Sequence, residues 1–302
     1  MLCQPSVCSL TMRAPAKLNL FLRVLRRRDD GYHDLETVMT AINLHDTLVF
    51  ESTATSEIDL KIVMGASRNS HTTPPPSIPS GANNLVIRAA RLLKEYANVT
   101  AGAQITLIKR IPSEAGMGGG SSDAATTLAG LNRLWNLSLT RLELIRLAAQ
   151  LGSDVGFFLG GSSTALCRGR GELIEPLQVP TCQYFVVAKP ASGLSTPDVF
   201  KRCQPGRSLK TAEEFVRTLD QSRLHQMVRL LLNDLQLPAE LLNDDVRQLR
   251  RLFDKLPILS HQMTGSGTSY FGVCSSSRHA RFMAARLRAS GVPWVYVARS
   301  CM

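Results

Sequence analysis

At 302 residues the chain is long enough for one large domain or two ordinary ones with real cores, and two is the expectation. Its 44% hydrophobic and 20% charged residues exclude wholesale disorder, and no apolar run approaches the roughly 18 residues that a membrane span needs. The net charge of +11 suits a nucleic acid or an anionic small molecule, but with 6% aromatic residues and no nucleic-acid-binding motif, a nucleic-acid partner is not expected.

The start, "MLCQPSVCSLTMR", lacks a basic stretch followed by a long apolar one, so no secretory signal is read and a cytoplasmic protein is expected. "AKLNLFLRVLRR" and "DTLVFES" alternate apolar and polar positions, as half-buried strands do. "MGASRNSHTTPPPSIPSGANN" is Pro-, Ser- and Thr-rich without periodicity and reads as a surface loop, or as a lid over the motifs that follow. "NLVIRAARLLKEYA" has helical spacing, and "AQITLIKRIP" is again a strand, ending at Pro112.

A glycine loop comes next, "SEAGMGGGSSDAA", and then a helix read from Ser121, with Leu128, Leu131 and Trp135 on one face. "TRLELIRLAAQLG" is a further amphipathic helix stopping at Gly152. After "SDVGFFLGG" come the strand-like "STALCRG" and "YFVVAKP", two helical runs between Thr211 and Leu232, and a third from Asp244 to Phe253. The end, from Gln262 to Ser300, reads strand, glycine turn, strand, helix, strand. The sum is a mixed α+β protein in two halves, without internal repeats. The seven cysteines show no CxxC pair and the six histidines no metal-ligand spacing, so neither a disulfide framework nor a zinc site is expected.

The chemistry concentrates in the glycine loop. Gly116, Gly118, Gly119 and Gly120 let backbone N–H groups approach a bulky ligand, and the helix N-terminus at Ser121 favours an anion, phosphate above all. A Walker loop needs a lysine after Gly120, and a dinucleotide fingerprint needs a glycine where Ser121 stands, so both fail on the residues. Ser121 or Ser122 is also a candidate ligand for a metal ion bridging phosphates. Asp154, beside Gly152, is a candidate general base, although a surface helix cap has the same spacing. Lys17 in an apolar strand is costly unless paired or at a sheet edge. Tyr32 and His33 follow Gly31 at a turn, where exposed aromatics are ordinary surface unless a ligand stacks there.

The loop resembles the phosphate loop of the GHMP kinases, the superfamily of galactokinase, homoserine kinase and mevalonate kinase. "APAKLNLFLRVLRRRDDGYHDLETVM", "GANNLVIRAARLL", "IPSEAGMGGGSSDAATTLAGLN", "LGSDVGFFLGG", "SGLSTPDVF" and "MTGSGTSYFG" are similar, in order and spacing, to one branch of it. That branch acts on a cytidine diphosphate-linked methylerythritol in the non-mevalonate isoprenoid pathway, and the match runs from Ala14 to about Gly272. Ser113 and Glu114 depart from the pattern, which has small or apolar residues there.

The resemblance implies an α+β, two-domain GHMP kinase. Residues 1–166 would form an ATP-binding domain like the second domain of ribosomal protein S5, and 167–302 a ferredoxin-like substrate domain, with the cleft between. It implies ATP as co-substrate, Mg²⁺, and a small-molecule substrate phosphorylated on its 2-hydroxyl, with no nucleic-acid or membrane partner and no stated oligomeric state. Asp154 would take the hydroxyl proton, with Lys17 keeping it ionised or polarising the hydroxyl directly. Asn19 would contact the methylerythritol end, and Asn84 the adenine beside Pro112 and the loop. Tyr32 and Phe200 would stack on opposite faces of cytosine, with His33 reading its edge, Thr196 nearby, and Gly265 and Gly267 forming a second glycine turn close to the substrate.

Overall fold

The structure, a computed structural model, describes residues 9–65, 81–206, 208–220 and 223–301; the Pro-rich stretch at 66–80, read as a loop or lid, and Cys3 and Cys8 lie outside them. In chain order the strands and helices are β1 (Ser9–Arg27), β2 (His33–Thr53), β3 (Ile58–Met64), α1 (Leu85–Tyr96), β4 (Gly102–Lys109), α2 (Gly119–Leu134) and α3 (Arg141–Leu151). A short 3₁₀ turn (Gly156–Leu159) leads to β5 (Thr164–Gly169), β6 (Leu173–Leu177), β7 (Tyr184–Lys189) and α4 (Thr196–Arg202). Then follow α5 (Ala212–Asp220), α6 (Leu224–Leu230), β8 (Leu232–Asn233), α7 (Gln236–Leu242), α8 (Asp244–Asp254), β9 (Ser260–Met263), β10 (Tyr270–Cys274), α9 (Ser277–Ala289) and β11 (Trp294–Arg299).

Two sheets result. The first has seven strands in the order β3-β4-β2-β1-β8, with β5 paired to β2 and β6 to β5. The second has four, β11-β7-β10-β9, all antiparallel. α1, α2 and α3 close a core over the first sheet, in which Leu128 and Leu131 of α2 are fully buried against Phe50 and Leu48 of β2. α8 and α9 cover the second sheet through Leu249, Phe253, Met283 and Leu287. α1 starts where Asn84 accepts a hydrogen bond from Val86 N, and α3 starts on a capping box of Thr140 and Glu143.

The expected strand, glycine loop and helix are present, with α2 beginning at Gly119 rather than Ser121. β3, β6, β8, α4 and α7 add to the elements read from periodicity. A division at 166/167 falls inside β5, whose residues Thr164–Gly169 pair with β2; the second sheet starts with β7, and β8 returns to the first.

β1 is the strand on which everything turns. The alternation in "AKLNLFLRVLRR" suggests one wet face, yet Ala16 to Leu22 are all buried, because the second half of the chain covers the other side. An exposed strand edge is a liability. Here Lys17 N donates to Met117 O, Asn19 N to Thr264 Oγ1, Asp234 N to Leu22 O, and Gln262 Nε2 to the carbonyls of Asn19 and Leu20. β8 adds a parallel pairing of Leu232 with Phe21 and Asn233 with Leu22.

Candidate active site

β1 points Lys17 and Asn19 into a cavity of about 680 Å³ between the two halves. Lys17 Nζ donates to Asn19 Oδ1 at 2.6 Å and lies 3.3 Å from Asp154 Oδ2. The lysine, 3% exposed, is therefore paired, as a buried charge must be. Phe157, in the apolar stretch that follows, is buried, while the Asp154 side chain stays 34% exposed, facing the cavity. Burial, and then the Asp154 charge, push the neighbouring Cys167 thiol well above its ordinary range, so it stays protonated. Asn19 Nδ2 donates to Thr37 Oγ1 and its Oδ1 lies 3.2 Å from Thr264 Oγ1, which fixes the amide orientation beside Lys17.

The glycine loop borders this pair. Gly118 caps α2 from the left-handed region at φ +67°, and Ser122 N is the first N–H bonded back, to Gly118 O, so those of Gly119, Gly120 and Ser121 precede the helical ladder. Gly116 is required by contact: a Cβ there would lie 2.1 Å from Thr264 O. The loop is thereby stitched to the second glycine turn, with Thr268 N donating to Glu114 O and Ser269 N to Ala115 O. Glu114, the departure from the family pattern, sits at the cleft mouth at φ +50° with its carboxylate turned against Gly193.

A second cleft, of about 290 Å³, is lined by Asn84, Pro112, Gly118, Gly119 and Gly120. Gly118 lines both spaces, so they meet at the loop. Gly116, Ser121, Thr196, Phe200, Tyr32, His33 and Gly265 line the larger one. Two expected site residues line neither. Gly267 is turned toward Met263 Sδ, and Ser122 is fully buried, its Oγ without a hydrogen-bond partner. Of the two serines, only Ser121 reaches the larger cavity.

At the far end of the larger cavity, the His33 ring packs on Phe200 at 5.1 Å between centroids, while the Arg170 guanidinium lies 4.8 Å from the centroid of Tyr32, itself 54% exposed. Burial, with the charge of Arg27, holds His33 below its ordinary pKa. The three rings expected around cytosine are thus together, but His33 occupies a face of Phe200.

Sequence reasoning missed a buried ion triad. Lys109, at the end of β4, contacts Asp46 Oδ2 at 2.5 Å and Asp123 Oδ2 at 2.8 Å, and Asp46 Oδ1 accepts from Ile111 N. Burial works against the lysine charge, but Asp123 and Asp46 together hold its pKa above the ordinary value. Burial, which outweighs the pull of Lys109, pushes the Asp123 carboxyl up to about 7. Lys109 and Asp123 line the smaller cleft. A lysine ending an apolar strand was the available signal, but its partners are 63 and 14 residues away.

Among the described residues no cluster of three or more His, Cys, Asp or Glu side chains is placed to hold a metal, and no helix is long and apolar enough to cross a membrane.

Comparison with known proteins agrees with this geometry. The GHMP kinases N terminal domain matches residues 84–166, and the GHMP kinases C terminal domain matches 212–292. The 4-diphosphocytidyl-2-C-methyl-D-erythritol kinase of Pelotomaculum thermopropionicum is 41% identical over 281 residues, covering 92% of this chain and 94% of its own. That of Delftia acidovorans is 43% identical over 263 residues, 85% of this chain and 84% of its own. A solved 4-(cytidine 5'-diphospho)-2C-methyl-D-erythritol kinase superposes with a TM-score of 0.78 at 34% identity, over 97% of this chain and 100% of that one. With paired Lys17 and Asp154 beside a glycine-capped helix, and relatives alike over nearly its whole length, the chain belongs to the 4-diphosphocytidyl-2-C-methyl-D-erythritol kinase family of the GHMP kinases.

Proposed function

We propose that the chain transfers the γ-phosphoryl group of ATP to the 2-hydroxyl of 4-diphosphocytidyl-2-C-methyl-D-erythritol, a step of the non-mevalonate isoprenoid pathway. The observation that carries this reading is the Lys17–Asp154 pair, 3.3 Å apart, in a cavity that meets a second cleft at Gly118. Phosphoryl transfer asks a protein mainly for positioning and charge neutralisation across such a junction. In the smaller cleft Asn84 and Pro112 flank the adenine, and the N–H groups at the start of α2 face the phosphates. Asn84 Oδ1 already caps α1, so its place there is set by the helix.

In the larger cavity Asp154 accepts the proton of the attacking hydroxyl. Lys17, held by Asn19, lies beside that carboxylate and donates toward the transferring oxygens. Tyr32, His33 and Phe200 hold the base, and Thr196, whose hydroxyl pairs with Ser266 at 2.7 Å, orients the linker beside the Gly265 turn. Mg²⁺ would arrive as an ion carried by the nucleotide, with the Ser121 hydroxyl and the Asp154 carboxylate among the oxygen donors that line the larger cavity. Such an ion would supply charge neutralisation on the phosphates. The five described cysteines are free thiols, which suits the reducing cytoplasm.

The test is ADP release in a coupled assay at saturating ATP and Mg²⁺, with and without the cytidine substrate. Release that depends on this substrate is expected. Release driven instead by a sugar or amino-acid alcohol overturns the substrate assignment.

A further inference from the structure

The larger cavity holds a cation to which the proposed function gives no part. Arg170 is at the tip of the β5–β6 hairpin, between Gly169 at φ +71° and Gly171 at φ +120°, and its backbone N–H donates to the Glu172 carboxylate at 2.6 Å. These restraints set the tip so that the side chain reaches Tyr32, with Cζ 4.8 Å from the ring centroid. Among the described residues no side-chain hydrogen bond holds the guanidinium: Nε is 3.9 Å from Glu172 Oε1, beyond hydrogen-bond distance, Asp30 feels its charge without bonding to it, and the side chain is 30% exposed. A cation over an aromatic ring at such a site is favoured by a factor of only about two to five, so the arginine is easily redirected.

Charge gives it a destination. Among the described residues lining the cavity, Asp154 is the one carboxylate, against Lys17, Arg27, Arg170 and Lys201. Lys17 is engaged by Asp154 and Asn19, and Lys201 lies 3.3 Å from Asp198. The surplus positive charge at the aromatic end therefore rests on Arg27 and Arg170. A planar guanidinium offers paired N–H donors matched to phosphate oxygens, which a point charge does not.

We propose that Arg170 is a binding and specificity-determining residue of this site: as ligand enters, its guanidinium turns from the Tyr32 ring to the diphosphate that joins nucleoside to polyol. This rests on the function proposed above and adds a reader for the diphosphate to the aromatic reader for the base. It makes the enzyme discriminate between nucleoside and nucleoside diphosphate at a position where the sequence shows only a turn.

Calorimetric titration with cytidine, CMP and CDP tests it in the wild type, Arg170→Ala and Arg170→Lys. CDP is expected to bind the wild type more tightly than cytidine. Arg170→Ala loses about tenfold on CDP, the size of one charge-assisted hydrogen bond, with cytidine affinity held within about twofold. Arg170→Lys falls between, because it keeps the charge and loses the fork. Equal weakening of cytidine and CDP places Arg170 with the base and overturns the proposal, as does unchanged CDP affinity in Arg170→Ala. A wild type that binds neither ligand, and releases no ADP with the cytidine substrate, overturns the proposed function together with this inference; a wild type that binds CDP confines any failure to Arg170.

Discussion

Asp154→Asn preserves the shape of the side chain and removes its charge, so it separates chemistry from architecture. At the 3.3 Å separation from Lys17, a full ion pair in an effective dielectric near 20 is worth about 5 kcal/mol. Solvent reaches a third of the Asp154 side chain, which screens the net contribution to stability down to about 1 kcal/mol. Lys17 keeps its bond to Asn19 Oδ1 at 2.6 Å in the variant. The fold should therefore persist, with Tm lowered by only about 2–4 °C. The reaction, by contrast, loses the group proposed to accept the hydroxyl proton, and kcat should fall by roughly 10²–10⁴, about 3–5 kcal/mol of barrier. Asp154 contributes no atoms to the cleft proposed for ATP, so the ATP Kd should stay within about threefold. ADP release, calorimetry with ATP and a thermal scan measure the three quantities. Turnover within about threefold of wild type would remove Asp154 from proton transfer, and a collapse of Tm matching the loss of activity would make its role structural.

Gly116→Ala drives a Cβ to 2.1 Å from Thr264 O at φ +69°, so urea unfolding should show a loss of about 1–3 kcal/mol, while Gly120→Ala, whose Cβ meets only Leu85 at 3.5 Å, stays within about 0.5 kcal/mol. Lys109→Met strands the Asp46 and Asp123 carboxylates in the core and should cost about 3–5 kcal/mol in the same assay. Asp123 has a folded pKa of about 7 against 3.8 unfolded, so the native state holds its proton longer; its stabilising contribution is full below about pH 4 and is lost as pH rises to about 7. Urea midpoints at pH 5 and 7.5 should show that component in the wild type and its absence in Asp123→Asn. Phe200→Ala should weaken cytidine and uridine substrates alike by about 1–3 kcal/mol in kcat/KM, whereas His33→Ala should shrink the preference for cytidine. Because His33 sits below its ordinary pKa of about 6.5, that preference should be flat above this pH and erode only in acid.

Local chemistry was legible where a short stretch carries its own reason. Four glycines running into a serine-rich helix read as a candidate anion site, and the structure places the start of that helix beside Lys17 and Asp154. The helices that bury one face, α1, α2 and α3, announced themselves by spacing. β3 was passed over although "IDLKI" alternates: it is an edge strand with no fully buried residue, and its apolar end, Val63 and Met64, is exposed. β8 is two residues long and exists only because β1 offers it an edge. The Lys109 triad was invisible for another reason: its energetics depend on three side chains from separate elements becoming dry together, and no window of sequence contains them. Arg170 shows the same limit at the surface, since two flanking glycines mark a turn without saying toward which ring it points.

The outer edge of β1 has a consequence in time. Ribosomes deliver the chain from its N-terminus, and Asn19 emerges 245 residues before Thr264, which accepts the hydrogen bond from its N–H. At synthesis speeds of about 5–20 residues per second, the lysine-bearing strand waits roughly 10–50 s for the partners that cover it. Through that interval its edge is a template for pairing with other nascent chains. A message cut short before the codon for Gln262 would leave the Asn19 N–H and the Asn19 and Leu20 carbonyls without these partners, so premature termination there leaves the middle of the edge open to pairing with other chains.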